Sequence, residues 1–529
     1  MSSQEFGRMP QFPGTMMDEP LLLSAIVTRA EQLFRNQVIV SYGADGHSSE
    51  IDCATLMRRV RKLASALSTL GIKEGDRVAT FAWNTQEHLE LYLAAPCIGA
   101  VIHPLNIRLH ADELAFIIND AEDSVVVVES DLSDRLPALP DGVRRIVIGR
   151  SATALEADDL DYETFVDSGD EDFEFPRFPE SAACTMCYTG GTTGRPKGVV
   201  YTHRSTMLHT VLESLPDFYG ICESDVVVPF VPMFHANAWG LPYATLLAGG
   251  RLVLPGPLTA PEAMAAVLSE QRATVSAGVP TIWHGMGELD QLPDLSSLRM
   301  VVAGGAPLTA ALLKRFDELD IPMVQGFGMT EANPLVAVGR VPHRSTASGQ
   351  ALMDLRLSQG RPMPLVDVRV DDSMGGELQV RGSTITGEYF RRPPGTESQF
   401  TEDGWLRTGD VAEISDEGVI RIVDRTKDMI KSGGEWIPSA ELENAIGEHP
   451  LVREVTVIAR PDDRWGERPV AYVTATSSAP VSVNEIADYL ADRVPRWWIP
   501  EDVVVIDTIP RTSVGKFDKK RLRDEHNDR

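Results

Sequence analysis

Cysteine is scarce in this chain, which has five cysteines among 529 residues. So few and so scattered thiols exclude the disulfide framework of a small secreted protein. Cys184 and Cys187 form a C-x-x-C pair, a spacing also found in redox and zinc sites. No second pair supplies the remaining ligands of a zinc site, and both residues lie in the apolar segment 182–188. We therefore interpret them as core residues of a buried strand.

Long apolar runs and excess positive charge are also missing. No stretch offers about 20 uninterrupted apolar residues for a membrane helix, and segment 226–250, which comes closest, is broken by prolines, His235 and Asn237. The first 20 residues lack the basic start and apolar core of a signal peptide. We expect a cytoplasmic protein without an integral membrane segment. The net charge of −28 argues against a nucleic-acid binder, which needs a basic face, and any anionic substrate would require local cations.

The chain is too long for one ordinary core, so two or more domains are expected. Apolar runs alternate with amphipathic segments over the first two thirds, which predicts an α/β architecture with largely parallel sheets. The predicted strands are 77–81, 124–128, 145–148, 225–231, 251–254 and 299–302. The predicted helices include 56–70, 261–271 and 310–319. We predict that the acidic segment 156–180 is a solvated surface loop.

From about residue 366 the pattern changes to strands joined by Gly, Asp and Pro turns, which indicates an antiparallel sheet or barrel. These strands are predicted at 366–370, 377–381 and 418–423. After the charged segment DRTKD at 424–428, a new α/β pattern begins, with helices at 439–448 and 483–493 and strands at 454–458, 469–475 and 503–506. We place a domain boundary near Lys427.

The segment YTGGTTGRPKG at 188–198 carries the strongest chemical signal. Its glycines let backbone N–H groups approach a ligand, three threonines add hydroxyl donors, and Lys197 adds positive charge. An apolar strand precedes it and a helix follows from about residue 205, an arrangement that suits an anion. The spacing differs from that of a Walker loop. The segment therefore predicts phosphate binding.

This segment resembles the phosphate loop of the acyl-adenylate-forming superfamily, which includes acyl-CoA synthetases, luciferases and peptide-synthetase adenylation domains. The usual form is YTSGTTGxPKG, and Gly190 here replaces the serine. The resemblance implies an α/β multidomain protein. Its N-terminal domain, residues 1–426, would contain two α/β sheet subdomains and a distorted β-barrel, and its C-terminal domain, residues 427–529, would be small, mobile and α+β. ATP, Mg²⁺ and coenzyme A are the implied cofactors.

Four further segments match the superfamily in the expected order. They are QGFGMTE at 325–331, WLRTGD at 405–410, DRTKD at 424–428 and PRTSVGK at 510–516. Taken singly, each has a plain alternative, such as a turn, a solvated charge cluster or a basic tail. Together they identify the chain as similar to the superfamily along nearly its whole length. Phe327 stands where the family usually has tyrosine, so the ring is kept and its hydroxyl is lost.

The resemblance assigns a role to each of these positions. Lys516 would be the adenylation lysine, Lys427 the hinge, and Glu331 and Thr192 the metal-binding residues, with His235, Glu331 and Thr192 also taking part in catalysis. Asp410 would accept hydrogen bonds from both ribose hydroxyls, because a carboxylate has two acceptor oxygens. The nucleotide site would comprise Thr189, Gly191, Thr192, Thr193, Gly194, Lys197, Gly304, Ala306, Gly326, Phe327, Thr330, Asp410 and Arg425. Coenzyme A would pass Lys431, Gly433 and Gly434, and the acyl group would contact His235, Trp239, Gly305 and Gly328.

The segment PMFHANAWG at 232–240 resembles the acyl-tunnel segment of medium- and long-chain fatty acyl-CoA synthetases. By that resemblance Trp239 gates the tunnel, although an apolar run also suits a core tryptophan. The predicted function is an AMP-forming carboxylic acid:CoA ligase for a medium- or long-chain fatty or related acid, and a homodimer is implied. Two alternatives stay open: an adenylate-forming enzyme that uses a carrier protein, an amine, a small nitrogen nucleophile or an aryl acid, and a non-catalytic nucleotide-sensing or scaffold protein.

Overall fold

A computed structural model describes residues 14–149, 158–189, 195–372, 376–433, 435–462, 464–476, 481–511 and 517–527. Its strands are β1 Val38–Tyr42, β2 Ser48–Asp52, β3 Arg77–Phe81, β4 Val101–Pro104, β5 Asp123–Glu129, β6 Arg144–Ile148, β7 Leu160–Asp161, β8 Ala183–Thr189, β9 Lys197–Thr202, β10 Val226–Pro229, β11 Arg251–Leu254, β12 Val275–Gly278, β13 Met300–Gly304, β14 Met323–Gly328, β15 Leu335–Val338, β16 Arg361–Pro362, β17 Val366–Asp371, β18 Glu377–Gly382, β19 Leu406–Ile414, β20 Ile420–Arg425, β21 Ile430–Ser432, β22 Glu435–Ile437, β23 Val452–Asp462, β24 Gly466–Ala475 and β25 Asp502–Val505.

The α-helices lie between these strands. They are α1 Ser24–Leu33, α2 Cys53–Leu70, α3 Gln86–Cys97, α4 Ala111–Ala121, α5 Tyr162–Asp167, α6 His203–Glu213, α7 Leu241–Ala248, α8 Pro261–Glu270, α9 Pro280–Gly287, α10 Ala310–Glu318, α11 Gly349–Leu357, α12 Ser439–Gly447, α13 Val483–Leu490 and α14 Lys519–Asn527.

Helix α2 shows how local sequence sets these elements. The Asp52 carboxylate accepts a 2.8 Å hydrogen bond from the Thr55 N–H and caps the first turn. Apolar residues recur every three or four positions along the helix and are buried on one face. The helix ends at Leu70, and the capping residue Gly71 has a left-handed φ of 101°, a conformation that favours glycine.

A seven-stranded sheet with the order β7-β6-β5-β3-β4-β8-β9 forms the first α/β unit. Its strands are parallel except for the terminal β8–β9 hairpin. The predicted strand 77–81 has the bounds of β3. The hairpin places Thr189 opposite Lys197, so the two ends of the predicted phosphate loop lie side by side at the edge of this sheet.

A nine-stranded sheet with the order β16-β15-β14-β13-β12-β10-β11-β1-β2 forms the second α/β unit. Its inner pairs are parallel, as predicted, and β2, β15 and β16 are antiparallel additions at the two ends. Strands β13 and β14 place Gly304 beside Gly326. The carboxyl ends of these parallel strands, where ligands bind in open α/β sheets, thus carry two of the predicted site glycines.

The third unit is an antiparallel sheet with the order β17-β18-β19-β20. It stands where the resemblance implied a distorted barrel, and over the described residues its strands form an open path. Register in this sheet places Asp410 opposite Arg425. Two residues predicted to contact ribose are thus neighbours on adjacent strands.

The C-terminal sheet has the order β22-β21-β24-β23, with β25 pairing in parallel with β24. Its core includes Ile430, Leu442, Val457 and Ile486. The larger core of the N-terminal units is a separate cluster of buried residues. The two-part α/β and α+β fold class is therefore confirmed.

The acidic segment 156–180 differs from its prediction as a loop. Within it lie β7 and α5, and Tyr162, Phe165 and Val166 are buried. The Tyr162 hydroxyl donates a 2.7 Å hydrogen bond to the buried Glu90. The prediction was wrong for residues 160–167. Acidic residues between the few apolar ones made the apolar pattern of this short helix difficult to recognise in the sequence.

Cys184 and Cys187 are buried free thiols in β8, as their apolar surroundings predicted. Burial raises the pKa of the Cys187 thiol to about 12, so it remains protonated and unreactive. Among the helices of the described residues, none is both long and apolar enough to cross a membrane.

Candidate active site

The described part of the phosphate loop consists of its two ends. Thr189 ends β8, and Lys197 begins β9 directly opposite. Gly191, Thr192, Thr193 and Gly194, together with the atypical Gly190, lie outside the described residues. The hairpin therefore defines the positions at which the loop leaves β8 and enters β9.

Tyr389 connects the phosphate-loop lysine to the predicted metal ligand. Its hydroxyl donates a 2.7 Å hydrogen bond to Glu331 Oε1 in a buried setting, and the Lys197 Nζ lies 4.9 Å from the centroid of its ring. Burial, followed by the negative charge of Glu331, raises the pKa of Tyr389, so its hydroxyl remains a donor. Lys197 and Glu331, which are 134 positions apart, are thereby brought to one aromatic ring.

Two backbone contacts hold the segment around Glu331 in place. The Thr386 N–H donates a 2.8 Å hydrogen bond to the Glu331 carbonyl oxygen. The Tyr201 hydroxyl donates a 2.6 Å hydrogen bond to the Thr330 carbonyl oxygen. Thr330 and Glu331 are therefore tied both to strand β9 and to the segment that carries Tyr389. Neither Tyr389 nor Tyr201 was identified from the sequence.

The donor set around Glu331 suits magnesium. A carboxylate oxygen is a hard ligand, and Mg²⁺ in nucleotide sites typically takes one or two carboxylates, with phosphates and water completing its shell. In the described ranges no cluster of three or more His, Cys, Asp or Glu residues could hold a metal. A metal here would thus require the nucleotide as a further ligand. Thr192, the other predicted ligand, lies outside the described residues.

Asp410 and Arg425 form an ion pair, with Arg425 Nε 2.9 Å from Asp410 Oδ1. The Asp410 side chain is 6% exposed and that of Arg425 is 43% exposed. Attraction to Asp410 is the largest cause of the raised pKa of Arg425, and Glu331 contributes to it as well. The Asp410 N–H donates a 3.1 Å hydrogen bond to the Thr408 hydroxyl. This pair presents an acceptor and a donor to a diol.

Gly304 leaves space that Trp239 occupies. A Cβ at Gly304 would lie 2.8 Å from Cη2 of Trp239 and 2.9 Å from the Gly326 carbonyl oxygen. Any other residue at position 304 would displace the indole or the strand. Gly305 and Ala306, the next residues of this turn, are partly exposed. Trp239 is buried within the main core cluster, so it is packed in the core and also touches the predicted nucleotide turn.

The remaining residues of the 325–331 segment differ in exposure. Phe327 is half-buried and packs against the main core cluster. Gly328 is exposed, and a Cβ there would lie 2.1 Å from the Pro334 carbonyl oxygen. The close approach of this backbone explains why the segment requires glycine at that position.

His235 precedes an unusual left-handed turn. Ala236, Asn237, Ala238 and Trp239 have φ values of 44°, 59°, 48° and 57°. Left-handed backbone costs roughly 1–2 kcal/mol for each such residue, so surrounding contacts must hold this conformation. The composition of the segment did not predict the turn, because Asn237 and Gly240 favour positive φ but the two alanines and Trp239 do not.

The predicted coenzyme A residues lie on the C-terminal domain. Lys431 is on β21, and Gly433 follows with a φ of 60°. A Cβ at Gly433 would lie 3.0 Å from Cε3 of Trp465, a contact that the sequence did not reveal. Gly434 and the adenylation lysine Lys516 lie outside the described residues.

The predicted hinge lies between two sheets. Strand β20 ends at Arg425 and β21 begins at Ile430, and Lys427 between them is exposed. Asp424 accepts hydrogen bonds from the backbone N–H groups of Ser439 and Ala440 at the start of α12. The last strand of the N-terminal part thus caps a helix of the C-terminal part.

Comparisons with known proteins show which proteins the chain resembles. The family model described as AMP-binding enzyme matches residues 27–393, and the model described as AMP-binding enzyme C-terminal domain matches residues 441–516. A long-chain-fatty-acid–CoA ligase of Thermus thermophilus is 40% identical, with 98% of each chain covered. A medium-chain-fatty-acid–CoA ligase of Ectopseudomonas oleovorans is 35% identical over 97% of this chain and 98% of its own. Among solved structures, ATP-bound MatB from Rhodopseudomonas palustris superposes with a TM-score of 0.83 at 25% identity, covering 96% of this chain and 99% of its own.

Proposed function

Because this chain belongs to the AMP-binding enzyme family, we propose that it is an AMP-forming carboxylic acid:CoA ligase for a medium- or long-chain fatty or related acid. ATP, coenzyme A and the acid are its substrates. The Tyr389 contact is the observation that carries the proposal, because it joins the phosphate-loop lysine to the carboxylate of Glu331. Both curated relatives described above are named as fatty-acid–CoA ligases.

The first half-reaction joins the acid to AMP. The acid's carboxylate attacks the α-phosphate of ATP, the acyl-adenylate forms and pyrophosphate leaves. Attack of one anion on another needs preorganised cations and N–H donors, which usually supply the largest catalytic term. We assign binding of the β- and γ-phosphates to Lys197 and the threonines of its loop, and binding of the ribose to Asp410 and Arg425. We assign to Lys516 the positive charge that contacts both the carboxylate of the acid and the α-phosphate.

We assign magnesium to Glu331, with Thr192 as a second ligand. When bound, the ion would neutralise charge on the pyrophosphate oxygens. Tyr389 would hold one oxygen of the Glu331 carboxylate through the buried hydrogen bond of 2.7 Å. This contact would restrict rotation of the carboxylate and leave its second oxygen available to the metal. The role of Tyr389 is therefore to position Glu331.

The second half-reaction transfers the acyl group to coenzyme A. The thiol attacks the acyl carbonyl carbon, a thioester forms and AMP leaves. We propose that residues 427–529 move as a domain about Lys427 relative to residues 1–426, which withdraws Lys516 and brings Lys431, Gly433 and Gly434 to the acyl-adenylate. The exposed position of Lys427 between β20 and β21 supports this division.

Two assays test the proposal. Exchange of labelled pyrophosphate into ATP that requires the acid but not coenzyme A would report the first half-reaction. Consumption of coenzyme A in step with AMP release would report the second. AMP release without thiol consumption would instead favour another acceptor, such as an amine or a carrier protein. The absence of acid-dependent exchange with every acid would refute the proposal.

Cellular site and assembly are proposed on the resemblance alone. We propose a cytoplasmic homodimer. Sedimentation of the purified protein would test the dimer, since a monomer at micromolar concentration would contradict it.

A further inference from the structure

Three buried polar side chains lie together close to the predicted acyl gate. They are His209 and Glu213 on α6 and Tyr219, which follows that helix. Glu213 and Tyr219 have no exposed surface. Within the part of the chain that the structure describes, both carboxyl oxygens of Glu213 and the hydroxyl of Tyr219 lack hydrogen-bond partners. Buried polar groups nearly always have partners, so this cluster calls for an explanation.

His209 supplies a third donor to the cluster. Its Nε2 accepts a 3.3 Å hydrogen bond from the Leu335 N–H, which places the proton of the neutral ring on Nδ1. Nδ1 lies 3.9 Å from Glu213 Oε1, too far for a direct hydrogen bond. Burial lowers the pKa of His209 to about 3 and raises that of Glu213. The cluster is therefore neutral and presents three donors, since the protonated carboxyl group also donates.

The position of the cluster relates it to the acyl site. A Cβ at Gly240 would lie 2.6 Å from Glu213 Oε2 and 2.7 Å from His209 Nδ1. Gly240 directly follows Trp239, the predicted gate. On the other side, the Tyr219 hydroxyl lies 3.4 Å from the Cβ position of Gly326, and Gly326 is beside Gly304 in the sheet. His209 and Glu213 thus approach Gly240, the residue after the predicted gate, and Tyr219 approaches Gly326, the sheet neighbour of the Gly304 against which Trp239 packs.

A purely hydrocarbon tail would leave the Glu213 carboxyl group and the Tyr219 hydroxyl without hydrogen-bond partners. A neutral oxygen atom would accept hydrogen bonds from these groups, since burial without a cationic partner favours their uncharged forms. We propose that the acid activated by this enzyme carries a neutral hydroxyl or carbonyl oxygen on its tail, which binds to His209, Glu213 and Tyr219 once the tail passes Trp239. This inference rests on the proposed ligase function and names its substrate class.

Matched pairs of acids test the inference. Straight-chain acids of four to twelve carbons are compared with the acids of equal length that carry a terminal hydroxyl, by kcat/KM for acyl-CoA formation. We expect the hydroxylated acid to be preferred by at least about tenfold at one or more lengths, because a site that hydrogen-bonds a substrate group rejects the analogue without it. Equal rates within every pair would overturn the inference and show that the cluster merely holds water.

Three variants assign the selectivity to the cluster. Tyr219→Phe removes one oxygen, and Glu213→Met keeps the volume of the side chain without its polar atoms. Both are expected to lower several-fold the ratio of kcat/KM for the hydroxylated acid to kcat/KM for the matched hydrocarbon acid. Glu213→Gln, which keeps a donor and an acceptor, is the control and should retain the preference. Unchanged preference in Tyr219→Phe and Glu213→Met together would contradict the assignment.

The outcomes separate this inference from the ligase proposal. If no acid yields acyl-CoA, the ligase proposal fails. If hydrocarbon acids yield acyl-CoA as well as their hydroxylated partners do, only the inference fails. Should Glu213→Met not fold, Tyr219→Phe still decides the matter, because loss of a hydroxyl without a hydrogen-bond partner should not lower the melting temperature.

Discussion

At the predicted phosphate site, two oppositely charged side chains contact Tyr389. Its ring lies next to Lys197 and its hydroxyl contacts Glu331, so one residue touches a cation and an anion. A hydrogen bond to a charged group contributes about 1.5–3 kcal/mol. The orientation of the Glu331 carboxylate should therefore depend on this hydroxyl.

Tyr389→Phe should raise the Mg²⁺ concentration for half-maximal adenylation by about threefold to tenfold, in keeping with the loss of one such hydrogen bond. Titration of pyrophosphate exchange with Mg²⁺ measures this. The control is Tyr489→Phe, which removes a hydroxyl that contacts the Glu448 carbonyl oxygen near the surface. A Mg²⁺ dependence equal to that of the control would show that Tyr389 does not position Glu331.

Asp410→Asn should raise KM for ATP by about tenfold to a hundredfold, because the amide presents one acceptor instead of two and weakens the contact with Arg425. Asp403→Asn is the matched control, since Asp403 also pairs with an arginine, Arg369, but in an exposed position. Initial rates over a range of ATP concentrations distinguish them. Equal KM values in the two variants would exclude Asp410 from the nucleotide site.

Lys516→Ala should lower adenylation by at least about a hundredfold, by analogy with the loss of one key electrostatic donor. Pyrophosphate exchange measures the effect, and the melting temperature should be unchanged because the residue is assigned to substrate alone. Exchange at the normal rate would remove Lys516 from the first half-reaction.

At the level of elements, sequence periodicity predicted several strands closely, including the bounds of β3 and β11. It also predicted the apolar strand β8 before the phosphate loop, but not strand β9, which begins at Lys197. Periodicity could not predict the left-handed turn at 236–239, because two alanines and a tryptophan in it do not favour positive φ. Nor could it find Tyr389, whose partner Glu331 is 58 positions away.

The connection between β20 and β21 is the element on which the second half-reaction depends. Lys427→Pro should abolish thioester formation while sparing adenylation, because proline fixes φ and restricts the residue before it. Lys427→Ala is the control and should retain both activities. Separate assays of pyrophosphate exchange and of acyl-CoA release measure this. Parallel loss of both steps in Lys427→Pro would contradict a hinge at this position.

Across the whole molecule, the protein and its proposed substrates are both negatively charged. A net charge of −28 repels ATP and coenzyme A at long range, so binding must rely on local cations such as Lys197 and Arg425. The sequence could predict these residues because each lies in a short contiguous motif. It could not predict the Glu213 cluster, whose members come together only when α6 packs beneath Gly240.

The most direct test of the account is the stoichiometry of the complete reaction. The purified enzyme is incubated with ATP, Mg²⁺, coenzyme A and acids from acetate to palmitate, with hydroxylated and aryl acids included, and AMP and acyl-CoA are quantified together. The account predicts equal amounts of AMP and acyl-CoA, with the largest yields from medium- or long-chain acids. Release of ADP, or of AMP without acyl-CoA, would contradict it.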